Sequence, residues 1–333
     1  MAIGIKAIEY VLPKDVLTNE ELARLYVDWT AEKILIKTGI ASRHIVSEGE
    51  CASDLAEKAA QKLFESGMIL PEDIDFILLA TQSPDYQLPT TACLLQDRLA
   101  IPQSAGALDF NLGCSAFIYG LAMAKSFINT GIAKNVLLIT AETYTKHIHP
   151  LDKSTRAIFG DAASATLISD DGHAIGKFDL GTDGSGRDAL IIPAGGAKLS
   201  RSEVTAEEKE DNGSIRSLDN LFMDGTEVFN FTIRVVPQSV KNILEKHNLT
   251  VDDIDLFVFH QANKFILDFL RKKIKIPKEK FYINMQDIGN TVSSTIPIAL
   301  KRAEEDGRLH KEDKVLLVGF GVGLSWGSTI ITY

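Results

Sequence analysis

Cysteine is scarce in this chain: Cys51, Cys93 and Cys114 are the only three in 333 residues. An odd count with no Cys-x-x-Cys spacing argues against both a disulfide framework and a structural zinc site. No metal is expected. Long apolar runs are missing as well. No stretch approaches the roughly 20 residues a helix needs to span a bilayer, and no basic segment followed by an apolar one opens the chain. No membrane association is expected, and a reducing cytoplasm is the expected compartment. Positive charge is not in excess either: 35 Lys and Arg face 45 Asp and Glu, for a net charge of −10. That balance argues against general nucleic-acid binding. What remains is an ordinary globular composition, 45% hydrophobic and 24% charged, in a chain long enough for two lobes.

The most informative stretch runs from Ala107 to Ala124. It opens as a short buried strand, turns at Asn111 to Gly113, and enters a helix that is apolar almost all round, as a central helix would be. Cys114 stands at the junction. Backbone N–H groups at a helix N-terminus favour thiolate over thiol, so Cys114 is a candidate nucleophile. Taken alone it could equally be a small buried residue in a packing seam.

Elsewhere, short β-rich runs alternate with helical patterns, the mark of an α/β protein. Strands are expected at 2–8, 76–80, 136–140 and 162–169. One or two helices are expected within 15–38, ending near Gly39, and further helices start at Ser53, as an N-cap, and span 91–99. The second half then repeats the first. The run 71–82 resembles 251–261, with Asp75 and Asp255 lying 180 residues apart. Val136 and Val315, in similar runs, are 179 apart, and Cys114 and Asn290 are 176 apart. A duplicated fold brings equivalent loops to one junction. Here those loops carry Cys114, His260, Asn290 and the Gly-rich run 319–323. No linker separates the halves, which divide as 1–170 and 171–333. The irregular stretch 182–220 reads as a surface excursion covering one side of the site.

A cysteine nucleophile needs a proton acceptor or donor beside it, and neutral donors where negative charge develops. Cys, His and Asn supply these without a metal. At this point a family resemblance rests on specific residues. Cys114, the His260–Asn263 run His-Gln-Ala-Asn, Gly289-Asn-Thr, the Gly-rich stretch 321–327, Lys37-Thr-Gly-Ile and Phe159-Gly-Asp resemble β-ketoacyl-acyl-carrier-protein synthase III, of the thiolase superfamily. The likeness covers essentially the whole chain. It implies a five-layered αβαβα fold of two duplicated halves, forming a homodimer.

It implies a two-stage reaction as well, with no permanently bound cofactor. Cys114 takes an acyl group from an acyl-CoA; His260 and Asn290 then stabilise the enolate formed by decarboxylation of malonyl-acyl carrier protein. That carbanion attacks the acyl-Cys. The backbone N–H groups of Cys114 and Val322 form the oxyanion hole, Val322 standing where Gly is usual. Phe159, Phe320 and Leu88 form the acyl pocket, Leu88 reaching across the dimer. CoA or phosphopantetheine contacts fall to Lys33, Lys37, Lys153 and Asn263. Lys33 and Lys37 occupy positions where an aromatic residue and an arginine commonly clamp adenine. The basic stretch 264–280, including Lys264, Arg271, Lys272, Lys273 and Lys275, is expected to dock the acidic carrier protein. Phe265 stands where a basic residue is common. These departures point to a specialised paralogue. Two other readings share the scaffold: acyl transfer to an amine or hydroxyl without decarboxylation, and a non-catalytic heterodimer subunit.

Overall fold

A computed structural model describes every residue except Met1, Val27 and Asn212. The first half contains β1 (Gly4–Val11), β2 (Asp15–Thr18), α1 (Asn19–Leu25), α2 (Ala31–Thr38), β3 (Ser42–Ile45) and α3 (Ala52–Glu65). It continues with β4 (Phe76–Ala80), α4 (Thr91–Arg98), β5 (Gly106–Phe110), α5 (Ala116–Asn129), β6 (Val136–Glu142), α6 (Lys153–Arg156) and β7 (Ala162–Ser169). After β8 (His173–Thr182) comes an excursion with the short strands β9 (Leu190–Ile191), β10 (Lys209–Asp211), β11 (Ser214–Arg216) and β12 (Phe222–Met223). The chain ends with α7 (Gly225–His247), β13 (Leu256–Phe259), α8 (Lys264–Ile274), β14 (Phe281–Tyr282), α9 (Thr295–Glu305), β15 (Lys314–Gly321) and β16 (Ser325–Thr332).

The long strands read β5-β4-β6-β7-β1 from one outer edge and β14-β13-β15-β16-β8 from the other. The two series meet at β1 and β8 through only two residue pairs, Gly4 with Ala174 and Ile5 with His173. Helices α5 and α9 lie between the two sheets, α3 and α4 cover one outer face, and α7 and α8 cover the other. This is the five-layered thiolase arrangement.

Strand alternation explains the layering, because successive side chains point to opposite faces. In β6, Val136 and Leu138 join the central layer, while Leu137, Ile139 and Ala141 face α3. In β15, Val315 and Leu317 point inward, and Leu316 and Val318 point to α7 and α8. Both strands are buried on both faces, so their sequences are continuous apolar runs rather than alternating ones. Each large apolar side chain buried there contributes about 1.5–3 kcal/mol. Gly120 lets α5 lie close to the sheet, since a Cβ there would come within 2.5 Å of Leu138 Cδ1.

Three local expectations need correction. The first strand covers 4–11 rather than 2–8. The segment 15–18 is strand, not helix: Val16 to Thr18 pair with β3, and Thr18 then caps α1 in a reciprocal box with Glu21. The N-cap of α3 is Cys51, whose N–H donates to Asp54 Oδ2 at 2.7 Å. Ser53 instead donates its hydroxyl to Asp85 at 2.6 Å. As expected, α2 ends at Gly39, which has φ of 75° and is the left-handed residue that closes the helix.

Candidate active site

Cys114, His260 and Asn290 line one narrow cleft of about 70 Å³, together with Phe159, Phe320, Asn263 and Gly321. Leu190 and Met223, from the irregular excursion, close one side. The three polar side chains are 5%, 2% and 4% exposed, so the chemistry is screened from bulk water.

The Cys114 turn fits only because its neighbours lack side chains. A Cβ on Gly321 would fall 2.7 Å from Cys114 Cβ and 2.8 Å from its Sγ. On Gly319 it would fall 2.8 Å from Ser115 Cα. The end of β15 therefore lies directly against the turn that carries the thiol. Val322 is accommodated in turn by Gly113, where a Cβ would sit 2.7 Å from Val322 Cγ1. The valine in the Gly-rich run is balanced by an absent side chain opposite.

His260 follows β13, and its Nδ1 lies 2.7 Å from Thr295 Oγ1 on the first turn of α9. Thr295 Oγ1 also lies 3.0 Å from Val292 O. The hydroxyl has one proton. Donated to Nδ1, it leaves the imidazole with an N–H at Nε2; donated to Val292 O, it favours the other tautomer. The Asn290 amide is oriented by the Val292 N–H, which donates to Asn290 Oδ1 at 2.9 Å. Asn290 Nδ2 is thereby turned toward His260 Nε2, 3.5 Å away. Two neutral nitrogen groups converge on one side of the cleft, the arrangement that stabilises a developing oxyanion.

The expected thiolate at Cys114 is not found in the resting site. Burial pushes its thiol up to about 12, and the neighbouring Glu142 adds to the rise; the N–H groups of Val322 and Cys114 itself act in the opposite direction. Removal from water costs more than the helix terminus returns. Burial also holds His260 down at about 3, so it is a neutral imidazole across the working pH range. The resting pair is thiol and neutral imidazole, with the backbone donors already facing the sulfur.

Models of the family described as 3-oxoacyl-[acyl-carrier-protein] synthase III match residues 108–184, and those of its C-terminal region match 244–333. The β-ketoacyl-[acyl-carrier-protein] synthase III of Caldanaerobacter subterraneus subsp. tengcongensis is 40% identical, over 100% of this chain and 98% of the relative. The enzyme of that name from Clostridioides difficile is 39% identical, over 99% and 98%. A crystal structure of a 3-oxoacyl-(acyl-carrier-protein) synthase III superposes with a TM-score of 0.98 at 49% identity, covering both chains fully. The chain belongs to the β-ketoacyl-acyl-carrier-protein synthase III family.

Within this synthase III frame, the other anticipated residues separate into those at the cleft and those away from it. Phe159 and Phe320 line it, Phe320 in an edge contact with His260 at 5.4 Å. Asn263 lines it too; its Oδ1 caps α8 through Ile266 N, leaving its amide N–H groups as donors. Leu88 does not reach the cleft of its own chain and is 82% exposed. Lys33, Lys37 and Lys153 also lie outside it. Lys33 Nζ donates to Asp28 O, and Lys153 borders a separate hollow with Tyr26, Asp28 and Gly213.

The basic stretch is spread along α8. Lys264 packs on Gly39 and pairs with Asp268 at the cleft end of α8. Arg271, Lys272, Lys273 and Lys275 lie at its other end, about 10 Å or more along the axis. Arg271 and Lys273 are bonded to backbone carbonyls of Ile276 and Ile233. At 3.6 residues per turn Lys264 and Arg271 share one face of α8, and Lys273 lies on the opposite side, bonded toward α7.

Sequence reasoning missed three residues. Thr295, the partner of His260, carries no motif of its own. Trp29 supports Lys37, whose Nζ lies 5.0 Å from the ring centroid; an aromatic ring is present near the lysine-substituted positions after all. Glu142 is a fully buried carboxyl beside Cys114. An acidic residue ending an otherwise apolar strand was the available signal. Among the described residues, no group of side chains suited to a metal ion occurs, and no helix is long and apolar enough to cross a membrane.

Proposed function

We propose that this synthase III condenses an acyl group held on Cys114 with malonyl-acyl carrier protein, releasing carbon dioxide and giving 3-oxoacyl-acyl carrier protein. The single observation that carries this is the convergence of Cys114, His260 and Asn290 in one buried cleft with the Val322 N–H facing the sulfur. Residues 1–170 contribute the nucleophile, and 171–333 the His–Asn pair.

In the first stage Cys114 Sγ attacks the acyl carbonyl carbon of acyl-CoA. The negative oxygen is received by the N–H groups of Cys114 and Val322, and CoA leaves with the thiol proton. A thiol raised to about 12 forms little free thiolate, so the thiol proton is lost as attack proceeds and leaves with CoA. In the second stage the malonyl thioester loses carbon dioxide. Asn290 Nδ2 and the Nε2–H tautomer of His260 donate to the enolate oxygen. The carbanion attacks the acyl-Cys carbonyl and expels the Cys114 thiolate.

Phe159 and Phe320 bound the acyl chain, and Leu88 completes the pocket from a second copy of this chain in a homodimer. Lys33, Lys37 and Lys153 hold CoA phosphates as point charges. Lys264, nearest the cleft, leads carrier docking; Arg271, Lys272, Lys273 and Lys275 act at longer range. Replacement of the usual adenine-clamping pair by lysines, and of a basic docking residue by Phe265, supports a specialised paralogue. Its donor would be a less common CoA thioester or a carrier-bound acyl group. The compartment we infer is the cytoplasm.

The test is intact mass after incubation with a panel of acyl-CoAs, with Cys114→Ala as control. Adducts on the wild type alone are expected, and their relative yields rank the donors. Malonyl-carrier is then added at rising salt; carbon dioxide release and a rising KM for the carrier are expected. An adduct that survives Cys114→Ala, or turnover without carbon dioxide, would overturn the assignment.

A further inference from the structure

The duplication places different residues at equivalent points of β6 and β15. Thr140 and Glu142 share the 179-residue offset of Val136 and Val315 with Gly319 and Gly321. In β15 those two glycines leave room for the Cys114 turn. In β6 the counterparts grip the opposite turn, the one that follows Asn290. Thr140 Oγ1 lies 2.8 Å from Ser294 Oγ, and Glu142 Oε1 accepts from Ser293 Oγ at 3.1 Å. Residues two apart in a strand face one side, so both reach the same turn.

Glu142 also holds the segment after β4. The Gln82 N–H donates to both carboxyl oxygens, at 3.2 and 3.1 Å, and Ser83 Oγ donates to Oε2 at 3.2 Å. The Gln82 side chain continues to the nucleophile turn, with Nε2 donating to Asn111 Oδ1 at 3.1 Å. The carboxyl therefore ties two segments directly, 82–83 and the turn between Asn290 and Thr295, and reaches the turn before Cys114 through the Gln82 side chain. All its hydrogen-bond partners are neutral. A buried carboxylate without a cation is costly, whereas the neutral acid can donate to either serine, whose hydroxyl reverses to accept.

We propose that Glu142 is the positioning residue that locks the Cys114 turn to the turn bearing Asn290, and that it does so as the neutral carboxylic acid. The inference rests on the synthase reading above, because it assigns Glu142 a part in placing the groups which that reading uses. Burial pushes the carboxyl up to about 8, which accords with the neutral form. The titratable groups facing it are Cys114 from the nucleophile turn, Tyr144 just beyond β6, and Asp161 ahead of β7. All three are neutral or negative. Once Glu142 ionises, its charge opposes thiolate formation at Cys114.

The test compares wild type, Glu142→Gln and Glu142→Ala in two assays. The first is the rate of Cys114 alkylation by iodoacetamide from about pH 6 to about pH 10. Wild type should show a rising rate that flattens near pH 8, where the new negative charge opposes thiolate formation. Glu142→Gln should lack that break and react faster above it. The second assay is condensation. Glu142→Gln should keep the larger part of kcat, since the amide copies the neutral acid, while Glu142→Ala should lose about tenfold or more in kcat with little change in KM for acyl-CoA. Thermal unfolding of each variant separates lost placement from lost folding. Should the alanine protein fail to fold, Ser293→Ala takes its place, with the same loss of kcat expected. A break that persists in Glu142→Gln, or a glutamine variant as impaired as alanine, would overturn the proposal. Alkylation requires no turnover, so an inactive wild type with the expected break would count against the synthase reading alone.

Discussion

At the scale of single residues, the site works with neutral groups made available by burial. His260 is neutral because its charged form cannot be hydrated, and the Thr295 hydroxyl beside its Nδ1 selects the tautomer: the Nε2–H form is held when that hydroxyl turns its proton from Val292 O to Nδ1. Thr295→Val keeps the shape and removes the proton. The expected result is loss of about 1 kcal/mol of transition-state stabilisation, roughly fivefold in the decarboxylation rate. Acylation of Cys114 should be less affected, and single-turnover kinetics with preformed acyl-enzyme resolve the two. An equal loss in both stages would mean that Thr295 serves only to pack α9.

At the scale of elements, the Cys114 turn and the Gly-rich end of β15 are fitted to each other. The contact between Gly113 and Val322 is reciprocal, since each residue's size presumes the other's. Gly113→Ala should impair acylation, because the new methyl meets Val322 Cγ1 at 2.7 Å and Gln82 Oε1 at 2.5 Å. Adding Val322→Gly should restore part of the rate, because the flexible Gln82 end can then give way. A double variant as slow as the single one would show that the Gln82 contact, not the valine, is limiting.

The expectations that failed belong to this scale also. Val16, Leu17 and Thr18 were folded into a helix pattern because the following residues are strong helix formers, yet pairing with β3 wins. Local sequence cannot report which neighbours an element will find.

At the scale of the molecule, the pocket proposed above calls for a second copy of the chain. The segment bearing Leu88 is exposed, with Tyr86 at 60% and Leu88 at 82%, an unusual display of large apolar side chains on one loop. Sedimentation equilibrium should give a dimer mass. Leu88→Asp should shift it toward monomer or, if the dimer holds, alter the acyl chain lengths accepted in the mass assay. A monomeric wild type with full activity would remove Leu88 from the acyl pocket.

The fold and the chemical trio were legible because both are written in local pattern. Apolar runs mark doubly buried strands, an offset near 180 marks duplication, and Cys114, His260 and Asn290 each lie in a loop that follows a strand, Cys114 and Asn290 at related points of the repeat. What the chain's order could not contain is the environment produced when the halves close. Desolvation turns the expected thiolate into a thiol near 12 and keeps His260 neutral. The same closure brings Glu142 to a turn about 150 residues away and Thr295 to His260. Hydrogen-bond partners and proton affinities depend on distances and on exclusion of water, and those exist only after long-range packing.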